Sequence, residues 1–268
     1  MKPYKLKLLG IPFDANSSYM KGPAQAPAAI REAYQSPSSN LSTESGLALG
    51  THPSLTDQGD IDISQDEAGY LAIEQAIQHL LNQEHKVLAL GGDHSVTYPI
   101  LKAYGAHYDN LTVLHLDAHP DLYDELDDNR HSHACPFARI MESGLVKRLV
   151  QVGIRTMNNH QRLQAERFGV EVYEMARWQD YREAALEGPL YLSVDLDVLD
   201  PAFAPGVSHH EPGGLSTRAL LTIIQGIQAQ LVGADIVELN PVRDVHNMTA
   251  MVAAKVMKEI AGKMISQA

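Results

Sequence analysis

Apolar runs alternate with segments of helical periodicity along most of this chain. Runs of Val, Leu and Ile that end in glycine, proline or charged residues predict strands buried on both faces of a sheet. These predicted strands lie in the stretches YKLKLLGIPF, KVLALGGDHS, TVLHLDAHPD, RLVQVGI, VEVYEM, GPLYLSVDLDVLDP and VGADIVELNP. The helices predicted between them lie at residues 22–34, 69–83, 95–108, 135–144, 160–168, 216–231 and about 248–267. Alternating strands and helices indicate an α/β protein, with a mainly parallel sheet in a three-layer α/β/α arrangement.

This pattern gives no sign of a second domain. Residues 35–58 are polar and rich in turn-forming residues, but regular alternation resumes directly after them. We interpret them as a surface excursion, whose role stays open, as does that of His210. There is no internal repeat, so we predict a single domain over residues 1–268. Ser95 is the predicted N-cap of the helix that begins there.

Composition argues against several classes of function. Lys and Arg total 21 against 33 Asp and Glu, giving a net charge of −12. This disfavours nucleic-acid binding, because phosphate contacts need clustered basic side chains. Cys135 is the one cysteine, so neither an intrachain disulfide nor a four-thiolate zinc site can form. No window approaches the ~20 apolar residues of a membrane span, and the first residues lack a signal-peptide pattern. We therefore expect a cytoplasmic protein without membrane partners.

Three of the predicted strands end in clusters of ionisable residues. In open parallel sheets, ligands bind just beyond the carboxyl ends of the strands. If these strands are neighbours, their ends bring together four carboxylates and two imidazoles, namely His94, Asp117, His119, Asp121, Asp195 and Asp197. A spacing of two would project Asp195 and Asp197 to one side of their strand, and likewise Asp117 and His119. A lone Asp-x-Asp pattern is usually a turn. Three ionisable clusters, each directly after an apolar strand, indicate a functional site instead.

A cluster of this kind needs compensating positive charge. Four close carboxylates repel one another and would take up protons, whereas two divalent cations would neutralise them. Oxygen and imidazole ligands without thiolate favour Mn²⁺, Mg²⁺, Fe²⁺ or Zn²⁺. Such a pair of ions can also lower the pKa of a shared water to near neutrality. The chain has no P-loop, dinucleotide fingerprint or serine-nucleophile elbow. His115, inside an apolar strand, is predicted to be a core histidine with a backbone partner.

The three clusters also match the motifs of a known family. GGDHS, DAHPD and SVDLDVLDP, in this order, resemble the arginase–agmatinase (ureohydrolase) family, and the resemblance extends over nearly the whole chain. Segments such as APGVSHHEPGGLS and GADIVELNPVRD look most similar to plant-type arginases. The resemblance implies an arginase-like fold, two Mn²⁺ ions per subunit, and hydrolysis of a small guanidino compound to urea and an amine. It also implies a homo-oligomer, usually a trimer or hexamer.

Roles for individual residues follow from the same resemblance. Six would be metal ligands, with His94 and Asp121 at one ion, His119 and Asp197 at the other, and Asp117 and Asp195 bridging. Glu238 would pair with the substrate guanidinium. His133 would shuttle protons, and Asp121 would relay one toward the departing nitrogen. Ala134 stands after His133 where many members have glycine, which leaves this assignment intact.

The substrate stays open between arginine and agmatine, which differ by one α-carboxylate. The candidate contacts of the substrate are Asn16, Ser17, Ser18, Asn129 and His209. Histidine at position 209, where many agmatinases have threonine, favours arginine. The acidic loop that follows Asp121 would favour agmatine if it reached the substrate, but we interpret it as a solvated surface loop. Less favoured alternatives are another guanidino acid, formimidoylglutamate, a deacetylase-type substrate, and a non-catalytic binding role, which the retention of all six ligands disfavours.

Overall fold

A single sheet of eight strands runs through the computed structural model, which describes residues 5–267. The strands are β1 (Leu6–Gly10), β2 (Leu55–Asp60), β3 (Lys86–Leu90), β4 (Thr112–Leu116), β5 (Arg148–Ile154), β6 (Glu171–Glu174), β7 (Leu190–Asp195) and β8 (Leu231–Val237). The helices are α1 (Ala26–Gln35), α2 (Glu67–Asn82), α3 (Thr97–Gly105), α4 (Pro136–Glu142), α5 (Asn159–Phe168), α6 (Thr217–Gly226) and α7 (Met248–Ser266). Neighbouring strands pair in parallel, in the order β2-β1-β3-β8-β7-β4-β5-β6.

The two faces of the sheet carry separate hydrophobic cores. In β3, Leu88 and Leu90 belong to one core, whereas Val87 and Ala89 belong to the other, because successive side chains point to opposite faces. Helices α1, α6 and α7 contribute to the first core, and α2 to α5 contribute to the second. Every residue of β3, β4, β7 and β8 is buried. These central strands therefore read as continuous apolar runs, and the predicted α/β/α architecture is confirmed.

Some local predictions differ from the structure. Ser95 is not a helix N-cap, since Asp93 accepts the backbone N–H of Ser95 and a short 3-10 turn, His94–Val96, precedes α3. The polar segment 35–58 contains the start of the edge strand β2, which is mostly exposed and so carries no apolar signature. Tyr4, in the first predicted strand, lies outside the described residues. Within residues 5–267, no helix has the length and apolar character needed to cross a bilayer.

Candidate metal centre

The strands that end in ionisable clusters are neighbours in the sheet. β3, β8, β7 and β4 lie side by side, so their carboxyl ends converge, as the sequence predicted. The alternation argument was wrong in detail, however. β4 ends before Asp117, and Asp197 lies in a 3-10 turn, Leu196–Val198, beyond β7. Each pair is held instead by a tight turn, in which Asp117 and Asp195 accept the backbone N–H two residues on.

The first half of the site is built around His94. Its Nδ1 atom lies 3.1 Å from Asp117 Oδ2, 3.0 Å from Asp121 Oδ2 and 3.2 Å from Asp195 Oδ2. This nitrogen is fully buried, yet it forms a hydrogen bond with none of the described residues. A buried polar atom without a partner costs free energy. A divalent cation among these groups could be coordinated by the three carboxylate oxygens and by the unpaired nitrogen of His94.

The second half is built around His119. Its Nδ1 atom lies 2.9 Å from Asp197 Oδ2 and 3.4 Å from Asp117 Oδ1. Asp117 therefore faces both halves through its two oxygens, which is the arrangement expected of a bridging carboxylate. Asp117, His119 and Asp197 each offer a ligand atom within 4.8 Å of the others.

The electrostatics of the site call for added positive charge. Burial, with the repulsion of Asp117, raises the pKa of Asp121 to about 6. Burial and the repulsion of Asp197 and Asp117 raise the pKa of Asp195 well above its ordinary value. Burial alone would lower the pKa of His94, but the carboxylates around it raise that pKa well above its ordinary value. Protons therefore collect between these groups unless a cation takes their place, and the residues fit a metal centre.

Two site residues have an unusual backbone conformation. Asp121, directly after Pro120, has φ 49°, and Glu238, directly after β8, has φ 65°. Left-handed backbone is uncommon for residues other than glycine and occurs often at functional sites. In both cases the conformation turns a carboxylate back over the end of the sheet.

Glu238 and His133 form a pair beside the two histidine-centred halves of the site. Glu238 Oε1 accepts the backbone N–H of His94 at 2.9 Å and lies 2.7 Å from His133 Nδ1. His133 Nε2 lies 2.8 Å from Ser18 Oγ. Burial opposes protonation of His133, but the Glu238 carboxylate outweighs it and raises the pKa of His133 to about 9. His133 therefore carries a proton at neutral pH, next to a buried carboxylate.

A cavity of about 140 Å³ opens over these groups. Its lining includes Asp121, His133, His209 and Glu238, but neither Ser17 nor Asn129, which the sequence analysis proposed as substrate contacts. The Ser17 hydroxyl donates to Asp93 and the Asn129 amide donates to Asn16. Ser18, a further candidate contact in the loop between β1 and α1, does line the cavity. His209 Nε2 is buried and forms no hydrogen bond with any residue in 5–267.

A row of buried polar side chains below the site was not predicted from the sequence. Gln151 on β5, His115 on β4, Ser193 on β7 and Asp235 on β8 lie side by side in register, and each is fully buried. We call these four residues the polar row. His115 has side-chain partners rather than the predicted backbone partner. The sequence does show one polar residue inside each of four apolar strands. Only the strand order reveals that these four residues are aligned across the sheet.

One end of the polar row supports His94. The carboxylate of Asp235 accepts hydrogen bonds from the hydroxyls of Tyr191, Thr97 and Ser193. Because Ser193 donates its hydrogen to Asp235, its oxygen, 3.0 Å from His94 Nε2, accepts from that nitrogen. In the neutral imidazole, the other nitrogen of His94 is thereby the unprotonated one, which is the form that binds a cation.

Comparison with known proteins places these features in one family. The model of the Arginase family matches residues 4–262. Arginase 1, mitochondrial, of Arabidopsis thaliana is 47% identical to this chain, over 96% of the chain and 80% of that protein. The solved structure of the arginase from Medicago truncatula has a TM-score of 0.93 and 42% identity, covering 98% of this chain and 88% of the other. The agmatinase of Serratia proteamaculans is 32% identical over 92% of this chain and 83% of its own length.

These comparisons correct the predicted location. The Arabidopsis thaliana relative is named mitochondrial, as is a Medicago truncatula relative 43% identical to this chain, so the names point to an organelle rather than the cytoplasm. The prediction rested on a single cysteine and on the lack of a membrane or secretion signal. A single cysteine excludes an intrachain disulfide, but it does not distinguish the cytoplasm from the interior of an organelle.

Proposed function

We propose the function of this chain from one premise, which is that it belongs to the arginase family. The proposed reaction is hydrolysis of L-arginine to L-ornithine and urea. The observation that carries the proposal is the conjunction of close similarity to plant arginases over 96% of the chain with the buried, orphaned His94 Nδ1 among three carboxylates. A protein that shared only the general fold would need neither this sequence similarity nor this arrangement around His94.

The proposed centre holds two Mn²⁺ ions. His94 and Asp121 would bind one ion, His119 and Asp197 the other, with Asp117 and Asp195 between them. This assignment is supported by the two histidine-centred halves and by the way Asp117 faces both of them. When bound, the ions would supply Lewis-acid chemistry and would lower the pKa of a water, which could then serve as the nucleophile at neutral pH. The choice of manganese among the possible ions rests on the resemblance of the sequence motifs to those of the family.

The side chains around the cavity would hold the substrate and move its protons. Glu238 is buried and ionised, because the protonated His133 offsets the cost of burial and lowers the pKa of Glu238. It can therefore accept hydrogen bonds from the planar, cationic guanidinium and fix its orientation. His133 would give its proton to the departing amine, and Asp121 would relay a proton toward that nitrogen.

Arginine is proposed over agmatine because of the donors near the cavity. An α-carboxylate needs hydrogen-bond donors, and the side chains of His209 and Ser18 both line the cavity. Agmatine lacks this carboxylate and would leave a donor at His209 unpaired. A site built to bind a polar group discriminates strongly against the analogue that lacks it.

Urea release from manganese-loaded protein tests the proposal. Arginine, agmatine, guanidinobutyrate and guanidine would be compared by kcat/KM, with a chelator-treated sample as the control. We expect arginine to be preferred and activity to disappear on removal of the metal. A preference for agmatine would assign the chain to the agmatinase branch, whereas full activity without any metal would refute the metal centre itself.

The assembly of the chain is a separate part of the proposal. We propose one domain over residues 1–268 that forms a homo-oligomer, a trimer or hexamer. Light scattering coupled to size-exclusion chromatography measures the mass directly. A mass equal to the 29.4 kDa of the chain at assay concentrations would contradict the oligomer without affecting the proposed reaction.

A further inference from the structure

One end of the polar row has no part in the proposed reaction. Gln151 Nε2 lies 2.6 Å from the carbonyl oxygen of Pro120 and 3.0 Å from His115 Nδ1. His115 Nε2 in turn lies 2.7 Å from Asp117 Oδ2. Gln151, His115 and Asp117 are each 0% exposed. Bulk water therefore does not reach these groups, so the hydrogen bonds of the Gln151 amide nitrogen and of the His115 ring are made with protein atoms. The Gln151 amide oxygen has no hydrogen-bond partner among the described residues.

The direction of each hydrogen bond follows from the carbonyl of Pro120. A carbonyl oxygen only accepts, so the Gln151 atom that faces it is the amide nitrogen. The second hydrogen of that nitrogen points to His115 Nδ1, which must accept it and so carries no hydrogen. The proton of the neutral imidazole then lies on Nε2 and is donated to Asp117. We infer that Gln151 is a positioning residue that fixes the tautomer of His115 and so aims an N–H at the Asp117 carboxylate.

The same hydrogen bonds argue against His115 as a metal ligand. His94, His115 and Asp117 offer possible ligand atoms within 4.8 Å of one another, so distance alone would allow it. Binding through Nε2 would move the proton of His115 to Nδ1, where it would face the amide hydrogen of Gln151. Rotating the amide would place its oxygen against the Pro120 carbonyl, which pairs two acceptors. Phe137, stacked on the His115 ring at 3.9 Å between centroids, holds the ring in place.

The consequence for the site concerns Asp117, the carboxylate between its two halves. The N–H of His115 donates a hydrogen bond to one lone pair of Asp117 Oδ2 and so fixes the plane of the carboxylate. Partners beyond the ligands typically contribute about 10- to 100-fold to metal affinity. This inference rests on the proposed metal centre, in which Asp117 bridges the two ions.

A double-mutant cycle tests the inference through metal affinity rather than activity. Gln151→Met keeps the length of the side chain but removes the donor. His115→Gln brings an amide nitrogen close to the position of Nε2, and an amide has no alternative tautomer. Manganese affinity would be measured by competition with a chelator, with metal content checked by elemental analysis. Unfolding of the metal-free variants would report on folding.

The two backgrounds should respond differently. We expect Gln151→Met to lower manganese affinity about 10- to 100-fold when His115 is present, but no more than about twofold when position 115 is glutamine. An equal loss in both backgrounds would show a merely structural role for Gln151 and overturn the inference. A wild-type protein that binds no metal would instead refute the proposed function.

A second measurement needs no folded variant of Gln151. Zinc has a filled d shell and is diamagnetic, so zinc-loaded protein with ¹⁵N-labelled histidine is suitable for NMR. We expect the His115 signals, assigned by their loss in His115→Gln, to show an unprotonated Nδ1 and a protonated Nε2. The opposite tautomer, or a metal-bound Nε2, would overturn the inference.

Discussion

At the residue scale, the proposed roles separate metal ligands from side chains that act on the substrate. His94 and Asp117 lie among the groups that would hold the ions, whereas Glu238 and His133 contact each other and line the cavity. Substitutions in the second group should therefore change kinetics without emptying the metal centre. That distinction separates the proposed roles from a general loss of structure.

Glu238→Gln should remove most of the affinity for the guanidinium group. The amide keeps the size of the side chain but loses its charge, and the loss of one partner of a buried charged pair costs about 2–5 kcal/mol. We expect kcat/KM for arginine to fall at least about 30-fold, with manganese content unchanged. Steady-state urea assays and elemental analysis measure the two quantities. Unaltered kinetics would show that Glu238 does not contact the substrate.

His133→Ala should lower turnover more than metal content. Loss of a positioned acid typically costs about 10²- to 10⁴-fold in rate, and we expect most of that loss in kcat. The matched control is His107→Ala, since His107 is exposed and should be silent. If His133→Ala instead empties the metal centre, His133 supports the ligands and its assignment as proton donor fails.

At the element scale, the end of β3 is shaped by a close approach of two loops. A Cβ atom at Gly92 would lie 1.7 Å from the carbonyl oxygen of Phe13, which also accepts the N–H of Asp93. Glycine at this position lets the chain turn directly from β3 into His94. The glycine directly before the first ionisable cluster is thus required by backbone packing at the edge of the site.

Gly92→Ala should therefore destabilise the fold and weaken metal binding. We expect the free energy of unfolding to fall by about 1–3 kcal/mol or more, because the methyl group must push two backbone segments apart and displace His94. Gly226→Ala is the matched control, since Gly226 is exposed and a Cβ there meets no atom within 4 Å. Chemical denaturation measures the free energy of unfolding of both variants. Equal stability of the two variants would contradict the close approach.

At the scale of the whole molecule, stability should depend on the ions. The net charge of −12 includes several carboxylates buried at one point. Ions that bind the folded chain stabilise it by mass action, by about 2.7 kcal/mol at one hundred times the dissociation constant. Removal of the metal should accordingly lower the unfolding temperature.

The stabilisation of the protein by manganese should increase as pH rises. In the metal-free protein, Asp121, with its pKa raised to about 6, and His94, with its pKa raised, bind protons more tightly when folded than when unfolded. Their contribution to stability therefore falls as pH rises from about 5 to 8. Protons compete with metal for the same atoms, so added manganese should stabilise more at higher pH. Calorimetry at both ends of this range, with manganese or chelator, checks the prediction. A constant difference between the two forms would contradict it.

The sequence by itself determined the fold class and the identity of the ionisable clusters. Apolar runs buried on both faces have no other stable place than the centre of a covered sheet, and Asp117 or Asp195 directly after such a run must lie at the edge of that sheet. Motifs that are local in the chain, such as GGDHS, could therefore be interpreted without knowing the strand order. The edge strand β2 could not be predicted in this way, because an exposed strand lacks a continuous apolar run.

Only the tertiary structure decided which side chains meet. The alignment of Gln151, His115, Ser193 and Asp235 depends on parallel pairing between strands far apart in the chain, and a single residue of slip would separate them. The choice of Ser18 over Ser17 at the cavity depends on a turn held by distant residues. Hydrogen-bond direction, which sets the protonation of His115, follows from contacts of this long-range kind, and local sequence does not encode them.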